Sequence, residues 1–206
     1  LYMDYYARLQ FLDESTAGQA AIFNGAIGQL EFSGHSSAAA ATITNRGDLT
    51  FGGNSTLGDA HLISASGQMQ VNLGYNQAGP APTGRIFFRD QATGGNGRIE
   101  ITGTESIIDF SGLHSGGGAT GRAVLADPAG APAVAADDGV VFALGSITNT
   151  APGGTIHLGS TVLDLGTDNR DMTLSARIRD GGRFGSLAGE VLVGGGLRKS
   201  GTGTLT

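Results

Sequence analysis

The chain has 206 residues, 37 of them glycine, with 39% apolar and 15% charged positions and a formal net charge of -6. Periodic apolar residues with so little charge exclude a disordered polar tail, and glycines without a triplet period exclude collagen. The acidic balance excludes the basic stripe of a general nucleic-acid binder, and the absence of cysteine removes disulfides, thiolate metal sites and cysteine nucleophiles together.

No stretch reaches the roughly 18 apolar residues of a helical membrane span, and no basic amphipathic segment is visible. The chain opens without an initiator methionine or a signal peptide, so an excerpt or a processed product is expected.

From the first residues onward one pattern recurs. Leu9-Gln10-Phe11 is followed by Ser15-Thr16-Ala17-Gly18 and Ile22. Leu30-Glu31-Phe32 is followed by Ser36-Ser37-Ala38 and Ile43, and Leu49-Thr50-Phe51 by Ser55-Thr56-Leu57-Gly58 and Leu62. Met69-Gln70-Val71 opens a fourth copy. An interval of about 20 residues is too short for a helical-pair repeat and fits one turn of a β-solenoid. Leu and Phe at i and i+2 share one strand face, while Gln10, Glu31 and Thr50 turn to water. Ile22, Ile43 and Leu62 each follow the preceding Phe at a constant offset, so each is expected to stack on its equivalent about 4.8 Å away. Gly28, Gly47 and Gly67 precede each strand by two residues, where a tight corner with positive φ is expected.

Further along, Ile86-Phe87-Phe88, Thr93, Gly95 and Ile99 restore the pattern, and Ile108-Asp109-Phe110-Ser111-Gly112 begins another copy. The alternation continues in Val140-Val141-Phe142, Val162-Leu163-Asp164-Leu165, Met172-Thr173-Leu174 and Val191-Leu192-Val193. The expectation is one all-β domain over residues 1–206, a right-handed parallel β-helix of about eight or nine coils and roughly 40 Å. Prolines cannot donate to a ladder. Pro80 and Pro82 therefore mark one surface insertion, 74–84, and Pro128 and Pro132 mark another, 126–139, with Pro152 in a smaller loop.

The repeats Ser15-Thr16-Ala17-Gly18-Gln19-Ala20-Ala21-Ile22 and Ser55-Thr56-Leu57-Gly58-Asp59-Ala60-His61-Leu62 resemble the coils of bacterial autotransporter passenger domains. Gly195-Gly196-Leu197-Arg198-Lys199-Ser200-Gly201-Thr202-Gly203-Thr204-Leu205-Thr206 is similar to that family's passenger-associated strand repeat, G-x-L-x-K-x-G-x-G-T-L-T. The resemblance implies a β-helix displayed at the cell surface of a Gram-negative bacterium or released from it, with an outer-membrane translocator barrel in the parent chain. It implies a non-catalytic adhesin or stalk, whose partner is a host or cell-surface protein or glycan, or a second rod in self-association. The rival reading is a carbohydrate-active β-helix enzyme, a lyase or hydrolase.

Motifs that carry chemistry are few. Arg46-Gly47-Asp48 is the tripeptide by which several adhesive proteins engage integrins, and these three residues are the candidate binding site; the same positions also fit a repeat corner. Gly34-His35-Ser36-Ser37-Ala38 approaches a nucleophile elbow but ends in Ala38, and serines fill the same slot in neighbouring copies, so turn serine is expected and no catalytic residue is assigned. His35, His61, His114 and His157 are widely spaced, and Gly94-Gly95-Asn96-Gly97 lacks the aspartate of a calcium-binding repeat. No metal site and no cofactor is expected. Gly194-Gly195-Gly196-Leu197-Arg198-Lys199-Ser200 departs from a phosphate loop at Arg198. Asp164, Asp168 and Asp171 are the carboxylates that the enzymatic reading would use, and Asp168-Asn169-Arg170-Asp171 also reads as a turn.

Overall fold

The computed structural model describes residues 1–3, 6–65, 84–114, 140–182 and 194–206, together with the backbone of 122–124 and 135–137. The expected fourth copy at Met69, the corner at Gly67, the strand at Val191 and most of the two proline-bearing insertions lie outside the described residues.

Among the described residues there is no helix. The strands begin with β1 (Tyr2–Met3), β2 (Arg8–Phe11), β3 (Ala21–Asn24), β4 (Gln29–Phe32), β5 (Thr42–Asn45), β6 (Asp48–Phe51) and β7 (His61–Ser64). They continue with β8 (Arg85–Asp90), β9 (Arg98–Ile101), β10 (Ile107–Leu113), β11 (Arg122–Val124), β12 (Ala135–Asp137), β13 (Val141–Leu144) and β14 (Ser146–Asn149). The last four are β15 (Thr155–His157), β16 (Val162–Leu165), β17 (Arg177–Arg179) and β18 (Gly196–Lys199).

Successive strands alternate between two parallel sheets. One sheet has the order β1-β3-β5-β7-β9-β14, and the other β17-β15-β10-β8-β6-β4-β2. A third side starts as single parallel bridges, Thr16 to Ser37, Ser37 to Thr56 and Thr56 to Thr93. A further parallel sheet, β13-β16-β18, forms in the later part of the chain, and β11 pairs antiparallel with β12. Chain order that advances one strand per sheet at each pass is consistent with a solenoid. The longest described ladder holds seven strands, against the eight or nine coils expected.

Register follows the apolar pattern. Leu9, Leu30, Leu49, Ile86, Ile108, Ile156 and Ile178 are direct ladder partners, and so are Ile22, Ile43, Leu62, Ile99 and Ile147. Phe11, Phe32, Phe51, Phe88 and Phe110 form a continuous stack, with neighbouring ring centroids 4.6 to 5.2 Å apart and planes within 9° of parallel. An extra residue in β10 between Asp109 and Gly112 shifts the register there. Phe142 enters from the third side at 58° to Phe88. Each central Phe is fully buried, worth about 2 to 3 kcal/mol of apolar transfer apiece.

The corners hold a correction. Gly28 and Gly47 do not have positive φ. Glycine is required there by crowding, since a Cβ on Gly28 would overlap the Asn24 side-chain oxygen, and one on Gly47 the carbonyls of Gly25 and Gly28. The left-handed residues lie elsewhere. Asp13, Gly34, Gly53 and Asp90 have φ of 53° to 69°, two positions after each Phe, and Gly18, Ala39, Gly58 and Gly95 have φ of 50° to 66°, seven positions after it. Asp and Gly tolerate that region best, so two bends per pass carry the chain from one sheet to the next.

At the inner corner Asn24, Asn45 and Ser64 are ladder partners and fully buried. Asn45 donates its amide to the carbonyls of Gly47 and Arg85 at 3.1 and 3.0 Å, and Ser64 donates to that of Gly84 at 3.2 Å. Buried polar groups so placed fix the turn carbonyls that water does not reach.

Candidate functional site

The outer face of the seven-stranded sheet carries polar side chains in two adjoining concavities. In each of its strands the residues flanking the inward Leu or Ile point outward. Ladder pairing therefore builds two outer columns: Arg8, Gln29, Asp48, Arg85 and Ile107 in one, Gln10, Glu31, Thr50, Phe87, Asp109 and His157 in the other.

The first concavity, of about 310 Å³, is lined by residues that include Arg8, Glu31, Thr50 and Arg89. The Glu31 carboxylate accepts from Arg8 at 2.8 Å, from Gln10 at 2.9 Å and from Arg89 at 3.3 Å. Its pKa is held below the ordinary value chiefly by the Arg8 hydrogen bond, against an opposing contribution from burial. The second concavity, of about 510 Å³, is lined by residues that include Arg85, Ile107, Asp109 and His157. Arg85 grips Asp48 with two hydrogen bonds, Nε at 2.6 Å and Nη2 at 2.9 Å, the bidentate geometry that fixes both groups. Asp48 and Phe87 line both concavities, so the two form one groove across six strands, about 24 Å at the usual strand spacing.

The charged residues described along the groove are Arg8, Arg85 and Arg89 and the carboxylates Glu31, Asp48 and Asp109. Asp109 is almost fully buried and accepts from the Ser111 hydroxyl at 2.6 Å and the Ser111 amide at 2.9 Å. His157 Nδ1 is buried without a hydrogen-bond partner among the described residues. Beyond it the columns end in the exposed Arg177 and Arg179.

Of the candidate tripeptide, Asp48 falls in this groove. Gly47 is buried, and the Arg46 guanidinium lies over the Phe23 ring, 5.3 Å from its centroid, on the other sheet. Both charged side chains are thus held by neighbours from other layers. The sequence did not single out Arg8, Glu31, Arg85, Phe87 or Arg89. Counting outward positions from each Phe would have placed Glu31 beside Thr50 and Phe87 in one column.

The other candidates are structural in their contacts. Ser36 and Ser55 are fully buried in the turn. Asp164 accepts from Arg198 and from Ser200 Oγ, both at 2.6 Å. Asp168 accepts from Ser146 Oγ at 2.8 Å, and Asp171 from the Thr204 amide at 2.7 Å. His35 contacts Asn54, His61 sits between Arg98 and Glu100, and His114 faces Asp90. Among the described residues no three His, Asp or Glu side chains gather into a metal-binding group.

Comparison with models of known protein families, with curated proteins and with solved structures gave no match.

Proposed function

We propose that the chain is a right-handed parallel β-helix from an autotransporter passenger, carried to the outside of a Gram-negative cell and acting there as a non-catalytic adhesive stalk. The observation that carries the reading is the pairing of residues 195–206. In that motif β18 lies in register on β16, and Leu205 bridges to Met172. The stretch that resembles a passenger-associated strand repeat therefore adds a layer to the existing ladders. In this reading each layer presents an open parallel edge on which the next one forms, so folding advances layer by layer as the chain emerges. The engagement of Asp164, Asp168 and Asp171 by donors from neighbouring layers supports the stalk over the polysaccharide lyase or hydrolase.

The test is protease shaving of intact bacteria that express the full-length gene product, followed with an antibody against this chain. Loss of signal from intact cells, with a periplasmic marker untouched, is the expected result. A chain protected until the outer membrane is broken would overturn the assignment.

A further inference from the structure

We propose that two copies of the chain join head to head through the free edge of β2, which pairs antiparallel with itself across a two-fold axis beside Gln10. The inference stands on the end of the ladder and holds whether or not the chain is an exported stalk.

The end layer is unfinished. β2 closes the order of the seven-stranded sheet, and among the described residues nothing pairs with its outer edge. Leu30, Phe32, Leu49 and Phe51 are buried, whereas their ladder equivalents Leu9 and Phe11 are only partly covered. Of the seven large apolar side chains exposed among the described residues, Leu1, Tyr2, Tyr6 and Leu12 belong to this end. An open edge with apolar side chains around it is a template for another strand.

Hydrogen bonding sets the phase. The Gln29 amide donates to the Ala7 carbonyl and the Ser33 amide to that of Phe11, both at 2.9 Å. Ala7, Leu9 and Phe11 therefore bond to β4, and the N–H and C=O groups of Arg8 and Gln10 face away from it. With the axis beside Gln10, the two Gln10 residues exchange both backbone hydrogen bonds. Leu9 then stands opposite Phe11 of the second copy, and Phe11 opposite its Leu9, so the apolar columns run on through the junction.

Charge sets the direction. The run opens with Arg8, whose guanidinium stays more than half exposed while it holds Glu31, and it closes with the exposed Asp13 and Glu14. Antiparallel pairing brings Arg8 beside the two carboxylates of the second copy, and the axis makes this contact twice. The opposite end of the sheet is blunted. In β17 the Arg177 amide donates to the Gly154 carbonyl and the Arg179 carbonyl accepts from Leu158, so Ile178 carries the outward backbone groups. An axis there would set Arg177 against Arg179 twice, and like charges directly opposed repel. One end pairs and the other does not, so assembly closes at the dimer.

The purified chain is followed by sedimentation velocity over a hundredfold range of concentration, and a single step from monomer to dimer is expected. Glu14→Arg, which faces Arg8 of the second copy, weakens the dimer at least tenfold with thermal unfolding still cooperative. Adding Arg8→Glu to it recovers most of the loss. The chain has no cysteine of its own, so Gln10→Cys under mild oxidation reads the axis directly. The Cα atoms of a hydrogen-bonded antiparallel pair lie about 5.5 Å apart, within disulfide reach, and a covalent dimer is expected. Arg177→Cys, at the blunted end, gives none. A chain that stays monomeric, species that grow past the dimer, or a dimer indifferent to Glu14→Arg and not trapped through position 10 would overturn the proposal.

Discussion

Asn24 reaches across one layer to Asn45, its side-chain Nδ2 donating to Asn45 Oδ1 at 2.7 Å with both residues fully buried. The same Asn45 ties down two carbonyls, so its removal orphans groups in two layers. Asn45→Ala is expected to cost about 3 kcal/mol, read as a lowered midpoint in urea unfolding. A change below about 0.5 kcal/mol would show that the asparagine column is dispensable.

Among the described residues Ala39 is the one position of its corner column, with Gly18, Gly58 and Gly95, that is not glycine, at φ 50°. A Cβ in the left-handed region costs about 1 kcal/mol, of which the greater freedom of unfolded glycine returns part. Ala39→Gly is therefore expected to stabilise the chain by about 0.5 kcal/mol, measured by the same unfolding curves. Gly58→Ala is expected to destabilise it, since its φ is 66° and the added Cβ would stand 3.0 Å from the Ala39 carbonyl.

His61 accepts from Arg98 at Nδ1 and places Nε2 3.0 Å from Glu100. Burial first, then the Arg98 charge, holds its pKa below the ordinary histidine value despite Glu100. With the folded pKa depressed, the unfolded chain takes up the proton first as pH falls. The contribution is complete above the unfolded value of about 6.5 and is lost as pH falls through the folded value. His61→Gln should flatten this part of the profile between pH 7.5 and 5; parallel profiles for variant and wild type would refute it.

Asp164 is nearly buried and its pKa is lowered chiefly by the hydrogen bond from Arg198, with Ser200 adding to it and burial opposing. Its stabilising effect is complete above the unfolded value of about 3.9 and is lost as pH falls through the folded one. Asp164→Asn is expected to loosen β18 already at neutral pH, so that trypsin cuts at Arg198 and Lys199 several-fold faster. Unchanged cleavage would assign the hold of this layer to its backbone pairing alone.

The Leu, Phe and Ile columns were legible because each is a fixed count from the next, and the register of β2 to β10 follows that count. Strands β14, β15 and β17 were passed over because the long insertion before Val140 breaks the interval, although Ser146-Ile147-Thr148-Asn149 nearly repeats Thr42-Ile43-Thr44-Asn45. The corner glycines were legible as corners but not in their cause, which is a crowd of neighbouring carbonyls and an asparagine. The groove was the least legible. Arg89 meets Glu31 across 58 residues, and only stacking brings outward side chains so distant in the chain together.

The hydrogen bonds between layers lie along the direction in which the strands stack. Tension between the two ends of such a stack loads them one row at a time, as in peeling, rather than all together in shear. Each yielded pass would release about 20 residues, roughly 70 Å of slack, while the rows behind it stay closed. A stack loaded this way lengthens in steps and rewinds on the edge that remains.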